Sequence, residues 1–128
     1  ALLYDILLEY KKLADNKFPY ISKESPDAVA RVLRFMEDNY QKPLKLADIA
    51  QTAEMSEQHI CRLFKKNIKT SPIDYLNQIR INRAKELLSY SDSTIAEIAA
   101  NVGFSDSSYF SVVFKKYEGI SPAEYKKI

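Results

Sequence analysis

Apolar residues along the chain recur at steps of three and four, with no sustained alternation of apolar and polar positions. That period belongs to helices, so the fold class expected from the pattern is all-α. Residues 1–16 place Leu3, Ile6, Leu7, Tyr10 and Leu13 on one stripe. Asn16 to Lys23, with Pro19 inside it, breaks the pattern. Ser25-Pro26 then supplies a cap and a first-turn proline. Val29, Val32, Leu33, Met36 and Tyr40 form the next stripe, which Pro43 stops. A longer helix is predicted from about Pro72 to Leu88, with Ile73, Leu76, Ile79, Ala84, Leu87 and Leu88 inward. The polar stretch from Ser89 to Ser93 leads to a helix that Thr94 and Glu97 open as a capping box.

One pattern occurs twice. Ala47-Asp48-Ile49-Ala50 returns 49 residues later as Ala96-Glu97-Ile98-Ala99. Phe64-Lys65-Lys66 returns 50 residues later as Phe114-Lys115-Lys116. Ser71-Pro72 and Tyr75 return, again displaced by 50, as Ser121-Pro122 and Tyr125. The change from 49 to 50 places one extra residue near Ser105 to Ser107. That is a turn, where an insertion costs least. The repeated unit is therefore a short helix, a turn, a second helix, Ser-Pro and a further helix.

Each copy reads as a helix-turn-helix. In the first, Ile49, Ala50 and Ala53 face inward, Glu54-Met55 forms the turn, and Ser56 caps the second helix. At about 100° per residue, Ile60, Leu63 and Phe64 make a buried arc. Gln58, Cys61, Arg62 and Lys65 make the opposite arc, flanked by His59 and Lys66. An ordinary helical hairpin would have the same inner arc, so the outer one decides. It carries an amide, a guanidinium and an ammonium, groups that hydrogen-bond base edges and phosphates. A merely solvated face would mix in acids for i,i+4 pairing. Only Glu57 is acidic, at the first turn, where it favours the helix dipole. In the second copy Phe110, Val113 and Phe114 go inward. Ser107, Ser108, Ser111, Val112 and Lys115 go outward, with Tyr109 and Lys116 flanking.

Several of these residues carry two readings. Val112 is either a contact for a thymine methyl or a tolerated surface valine. His59 either bonds locally or reaches a phosphate or base. Cys61 is either a small residue at a groove contact or a redox-sensitive thiol, which would need a lowered pKa. Tyr109 is a candidate sugar or base contact beside core-edge tyrosines. Arg80 and Arg83, on the long helix, are expected to pair with Asp74 or Glu86, ahead of a phosphate contact or a clamp between the subdomains.

Composition narrows the functions further. The 128 residues are 46% hydrophobic, enough for a packed core. Nineteen Lys+Arg against 17 Asp+Glu leave +2, too little by itself to imply a polyanion partner. Placement says more. Lys65, Lys66 and Lys69 cluster at the end of one outward-facing helix, and Lys115 and Lys116 at the matching place on the other. Only 2 Gly are present, and no Gly-rich phosphate loop fits. One His and one Cys leave no multi-ligand His/Cys zinc site and no disulfide within the chain. With no Ser-His-Asp set either, neither an enzyme nor a cofactor is expected. A lone thiol suits a reducing cytoplasm. No run of 18 apolar residues suggests a membrane partner.

At these residues the chain resembles the DNA-binding region of the AraC/XylS family of bacterial transcription regulators. The second copy carries most of the likeness: Ile98-Ala99, Gly103-Phe104-Ser105-Asp106, Tyr109-Phe110, Phe114-Lys115-Lys116, Gly119, Ser121-Pro122 and Tyr125. Arg80, Ala84 and Leu87-Leu88 of the long helix also fit, and the likeness runs from about Pro26 to Ile128. It implies two homeodomain-like helix-turn-helix subdomains joined by a long linker helix. Two recognition helices would enter successive major grooves on one face of double-stranded DNA, about 34 Å apart. Transcription regulation, activation through RNA polymerase contacts, is implied in the same way. Two positions depart from the family pattern. Val112 stands where many members have Arg, and Lys69 stands where Gly is usual. A left-handed helix end costs Lys more than Gly, so either that end is strained or the first copy ends differently.

The expected organisation is an N-terminal amphipathic helix and linker over 1–24, a first subdomain with its linker helix over 25–88, and a second subdomain over 89–128. The stripe of residues 1–13 would pack on an N-terminal sensor domain or a second protomer. The competing function is an all-helical protein–protein interaction module that does not bind DNA.

Overall fold

The computed structural model describes residues 26–128. The predicted helix over residues 1–16, the Ser25 cap and the partner surface at residues 1–13 lie outside the described residues. Seven α-helices and no strand are found among those described. They are α1 (Pro26–Asn39), α2 (Leu46–Ala53), α3 (Glu57–Asn67), α4 (Pro72–Tyr90), α5 (Ile95–Asn101), α6 (Ser107–Glu118) and α7 (Pro122–Lys126). The chain divides into two compact units. Among the described residues the first comprises 26–38 with Leu44–Asp74, and the second comprises Asn39–Pro43 with Tyr75–Ile128.

The first unit buries the arcs that the periodicity assigns. Val29, Val32, Leu33 and Met36 of α1 are buried, as are Ile49, Ala50 and Ala53 of α2 and Ile60, Leu63 and Phe64 of α3. The small Ala50 and Ala53 let α2 and α3 pack against each other. Glu54 closes α2 in the left-handed region at φ 57°. The Met55 amide donates back to the Ala50 carbonyl at 3.0 Å, which completes the turn. Ser56 then accepts from the His59 amide at 3.1 Å and caps α3. At the other end of α3, Ile68 and Lys69 both donate to the Phe64 carbonyl, at 2.7 and 3.1 Å. Lys69 sits at φ 70°. The first copy thus ends in the left-handed region, as the second does at Gly119 with φ 83°. The choice left open by the sequence falls to the strained ending.

The Ser-Pro pairs have a mechanical explanation. Ser71 accepts from the Asp74 amide at 3.1 Å at the start of α4. Ser121 accepts from the Glu124 amide at 3.1 Å at the start of α7. In each pair the proline is the first helical residue, where its missing N–H loses no bond. The extra residue of the second copy falls in the turn before α6, whose cap is Asp106 where the first copy has Ser56.

The second unit is built on Ile81, Ala84 and Leu88 of α4, Ile98 and Ala99 of α5, Val102, Phe104, and Phe110, Val113 and Phe114 of α6. Its aromatic rings run in sequence, with centroids 5.2 Å apart for Phe104–Phe110, 5.7 Å for Phe110–Phe114 and 5.4 Å for Phe114–Tyr125. Burying each such phenylalanine contributes about 1.5–3 kcal/mol. The capping box opening α5 is present in both directions. The Glu97 amide donates to Thr94 at 3.1 Å, and the Thr94 amide donates to the Glu97 carboxylate at 2.8 Å.

Arg80 corrects the sequence expectation. It is buried, and among the described residues no ion pair joins it to Asp74 or Glu86. Its Nε donates to the Tyr40 carbonyl and its Nη2 to the Lys42 carbonyl, each at 2.8 Å. Its guanidinium lies 5.5 Å from the centre of the Phe104 ring. Burial pulls its pKa below the ordinary value, and the Tyr109 hydroxyl acts the other way. The group stays charged, because arginine does not deprotonate in proteins. Arg83 behaves as expected and meets Glu86 at 2.5 Å. Both are half exposed, so the pair contributes at most about 1 kcal/mol.

Candidate nucleic-acid interface

The second helix of each copy presents one inward and one outward face. On α3, Gln58, Arg62, Lys65 and Lys66 are exposed, and His59 and Cys61 are half-buried. Gln58, Arg62 and Lys65 follow at i, i+4 and i+7, so they stand one above another along the helix. On α6, Ser107, Ser108, Tyr109, Val112, Lys115 and Lys116 are exposed, and Ser111 is half-buried. Each sequence-predicted site residue thus lies on one of these two helices, and none is fully buried.

The ends of the helices set the local electrostatics. Capping by Ser56 and Asp106 satisfies first-turn amides. Lys65 and Lys66 occupy the last turn of α3, and Lys115 and Lys116 the last turn of α6. There they complement the negative end of the helix dipole while their ammonium groups reach solvent. Glu118, at the end of α6, is drawn aside by Lys85 at 3.2 Å. The last turns of both outward faces are therefore basic, which suits a phosphate backbone.

Tyr109 is half exposed and held from behind. Its hydroxyl accepts from Asn77 Nδ2 at 3.4 Å, and its ring centre lies 5.9 Å from that of Phe104. Asn77 and Arg80 are thus supporting residues that the sequence reading did not select for this role. The signal was available, because Asn77, Ile81, Ala84 and Leu88 share one i, i+4, i+7 stripe of α4, and the stripe is buried.

The helix-turn-helix domain family matches residues 49–128, from within α2 to the end of the chain. The chain belongs to the AraC/XylS family. Among curated relatives, the lactose operon transcription activator of Staphylococcus xylosus is 33% identical over 129 residues, covering 98% of this chain and 46% of its own. The chain spans about half the length of the curated relatives it matches. Among solved structures, the C-terminal domain of the two-component response regulator yesN from Fusobacterium nucleatum is 34% identical. Its TM-score is 0.74, over 78% of this chain and 98% of that one. The DNA-binding domain of AdpA, solved with a target DNA, is 26% identical with a TM-score of 0.74, over 78% and 90% of the two chains.

As an AraC-family DNA-binding region, the chain uses α2–α3 and α5–α6 as its two helix-turn-helix elements. Positions that carry the likeness serve the fold: Phe110 and Phe114 are core, Ser121 is a cap, and Gly119 ends α6. Among the described residues no helix is long and apolar enough to cross a membrane.

Proposed function

We propose that the chain binds double-stranded DNA sequence-specifically, with α3 and α6 as recognition helices in adjacent major grooves. The observation that carries this reading is the register of the repeat. Two helices, each opened by a side-chain cap, with matching buried arcs and matching terminal lysines, present their outward faces at equivalent positions of the repeat. On α3, Arg62 donates in bidentate fashion to a guanine, and Gln58 meets an adenine by donating to N7 and accepting from the N6 amino group. His59 and Cys61 border that contact. On α6, Ser107, Ser108, Tyr109, Ser111 and Val112 line the groove. Lys65, Lys66, Lys115 and Lys116 neutralise phosphates.

The AdpA structure with its target DNA supports DNA as the partner. The name of the staphylococcal lactose operon transcription activator supports regulation by activation; RNA polymerase is the partner this reading assigns to an activator. The greater length of the relatives leaves room for an N-terminal sensor domain. That domain or a second protomer would be the partner of residues 1–13, and the family supports a cytoplasmic setting. No enzymatic activity is part of this reading.

The test is selection from random duplexes, followed by titration of the preferred duplex. Arg62→Ala is expected to cost about 1–3 kcal/mol and to relax one base position. Lys65→Ala is expected to weaken binding to all sequences alike and to lower the salt slope by about 1. Equal affinity of wild type and Arg62→Ala for every duplex would remove base readout, and the absence of any salt-dependent DNA affinity would favour the protein–protein module instead.

A further inference from the structure

The outward faces of α3 and α6 occupy equivalent places in the repeat but carry different chemistry. Arg62 and Val112 are related by the displacement of 50 residues, and both are exposed. α3 sets Arg62 one turn after Gln58, two planar groups that each meet a base edge with two hydrogen bonds. α6 exposes no such group. Ahead of its terminal lysines it offers Ser107, Ser108, Tyr109 and Val112. Serine hydroxyls donate and accept equally well, so they discriminate little between bases. The Tyr109 hydroxyl already accepts from Asn77, and its ring rests on Phe104.

Val112 is left at the middle of the face, one turn after Ser108 and 67% exposed. A branched apolar side chain there lowers helix propensity and keeps its methyl groups hydrated. It gains only if another apolar group covers it. In the major groove the base edges offer one such group, the C5-methyl of thymine.

We propose that Val112 reads a thymine, so that α6 selects its half of the target by methyl contact while α3 selects the other half by hydrogen bonds. This rests on the proposed function. The terminal lysines are matched on the two helices, so both halves share one phosphate-derived salt dependence. They differ in what removes their specificity. Deleting a methyl from the DNA affects only the half under α6.

Deoxyuridine in place of thymine deletes that methyl and leaves the Watson–Crick edge intact. The experiment takes the 128-residue chain and the duplex preferred in selection, and replaces each thymine in turn. At one thymine in the half that Arg62→Ala leaves unrelaxed, the replacement is expected to weaken wild-type binding about fourfold, as for one buried methyl. Val112→Ala is expected to bind the thymine duplex about fourfold more weakly and to lose less than about 1.5-fold on deoxyuridine. Selection repeated with Val112→Arg is expected to return guanine at that position, the base the equivalent Arg62 suits. Three results would overturn the inference: no sensitive thymine in that half, equal losses for wild type and Val112→Ala, or the same thymine returned with Val112→Arg. A selection that returns no preferred sequence overturns the proposed function instead.

Discussion

Gly103 is the position where one added methyl group should do most harm. Its φ is 106°, a region L side chains rarely adopt. A Cβ there would lie 2.3 Å from the Tyr40 carbonyl oxygen and 2.7 Å from Arg80 Nε. Those two atoms are the partners in one of the bonds that hold Arg80. Two costs therefore combine in Gly103→Ala. The left-handed backbone costs about 1–2 kcal/mol for a residue with a Cβ. Displacing Tyr40 from Arg80 costs a hydrogen bond to a charged group, about 1.5–3 kcal/mol. Together they destabilise the second unit by about 2.5–5 kcal/mol. Gly119→Ala isolates the first cost. Its φ is 83°, and a Cβ there meets nothing within 4 Å. Both glycines belong to the second unit, so one unfolding transition reports on both variants. Urea denaturation followed by far-UV circular dichroism should rank Gly103→Ala below Gly119→Ala by about 1.5–3 kcal/mol. A difference under about 0.5 kcal/mol would mean that the Arg80–Tyr40 contact contributes nothing beyond backbone strain.

Two caps and one titration offer further checks. Lys69→Gly removes a side chain from φ 70° and should stabilise the first unit by about 1 kcal/mol, with a higher urea midpoint as the readout. The Lys45 amide donates to Asp48 Oδ2 at 2.9 Å, but Lys45 supplies no return acceptor as Thr94 does. Lys45→Thr should complete that capping box and stabilise by about 0.5–1 kcal/mol, and an unchanged midpoint would contradict it. The Glu97 and Glu124 carboxylates are held below their ordinary pKa by hydrogen bonds from Thr94 and Ser121 respectively. Their folded pKa values are depressed, so the stability they add is present above the unfolded pKa and lost as pH falls through the folded one. The stability gap between wild type and the double variant Glu97→Gln, Glu124→Gln should close on acidification below the carboxylate range. A gap independent of pH would contradict this.

The parts that were legible in the sequence are those whose causes are local. Caps lie two or three residues from the amides they satisfy, buried arcs repeat every helical turn, and a duplicated unit repeats its own order of elements. So the second-copy core at Phe110, Val113 and Phe114, the outward faces of α3 and α6, and the Thr94–Glu97 box could all be read from spacing. Arg80 could not. Its partners are backbone carbonyls 40 and 38 residues upstream, and a carbonyl has no signature in the sequence. A carboxylate of the same helix, Asp74 or Glu86, was the natural expectation, and tertiary packing overrode it. Tyr109 was half legible: its outward position followed from the helical angle, but its anchor on Asn77 required knowing that α4 turns an amide into the second unit. Lys69 was legible as a conflict, and the structure resolves it by keeping the helix end that Gly119 uses and accepting the strain.

The exposure of Arg62 and Val112 bears on how such a protein changes over time. The residues that hold each helical hook together lie on its inner arc and at its ends, whereas these two lie on neither. A substitution at either is close to neutral for folding, within about 0.5 kcal/mol at an unburdened surface position. Selection can therefore rewrite one hook's outward alphabet while the duplicate preserves its own, and the pair can diverge without passing through an unstable ancestor.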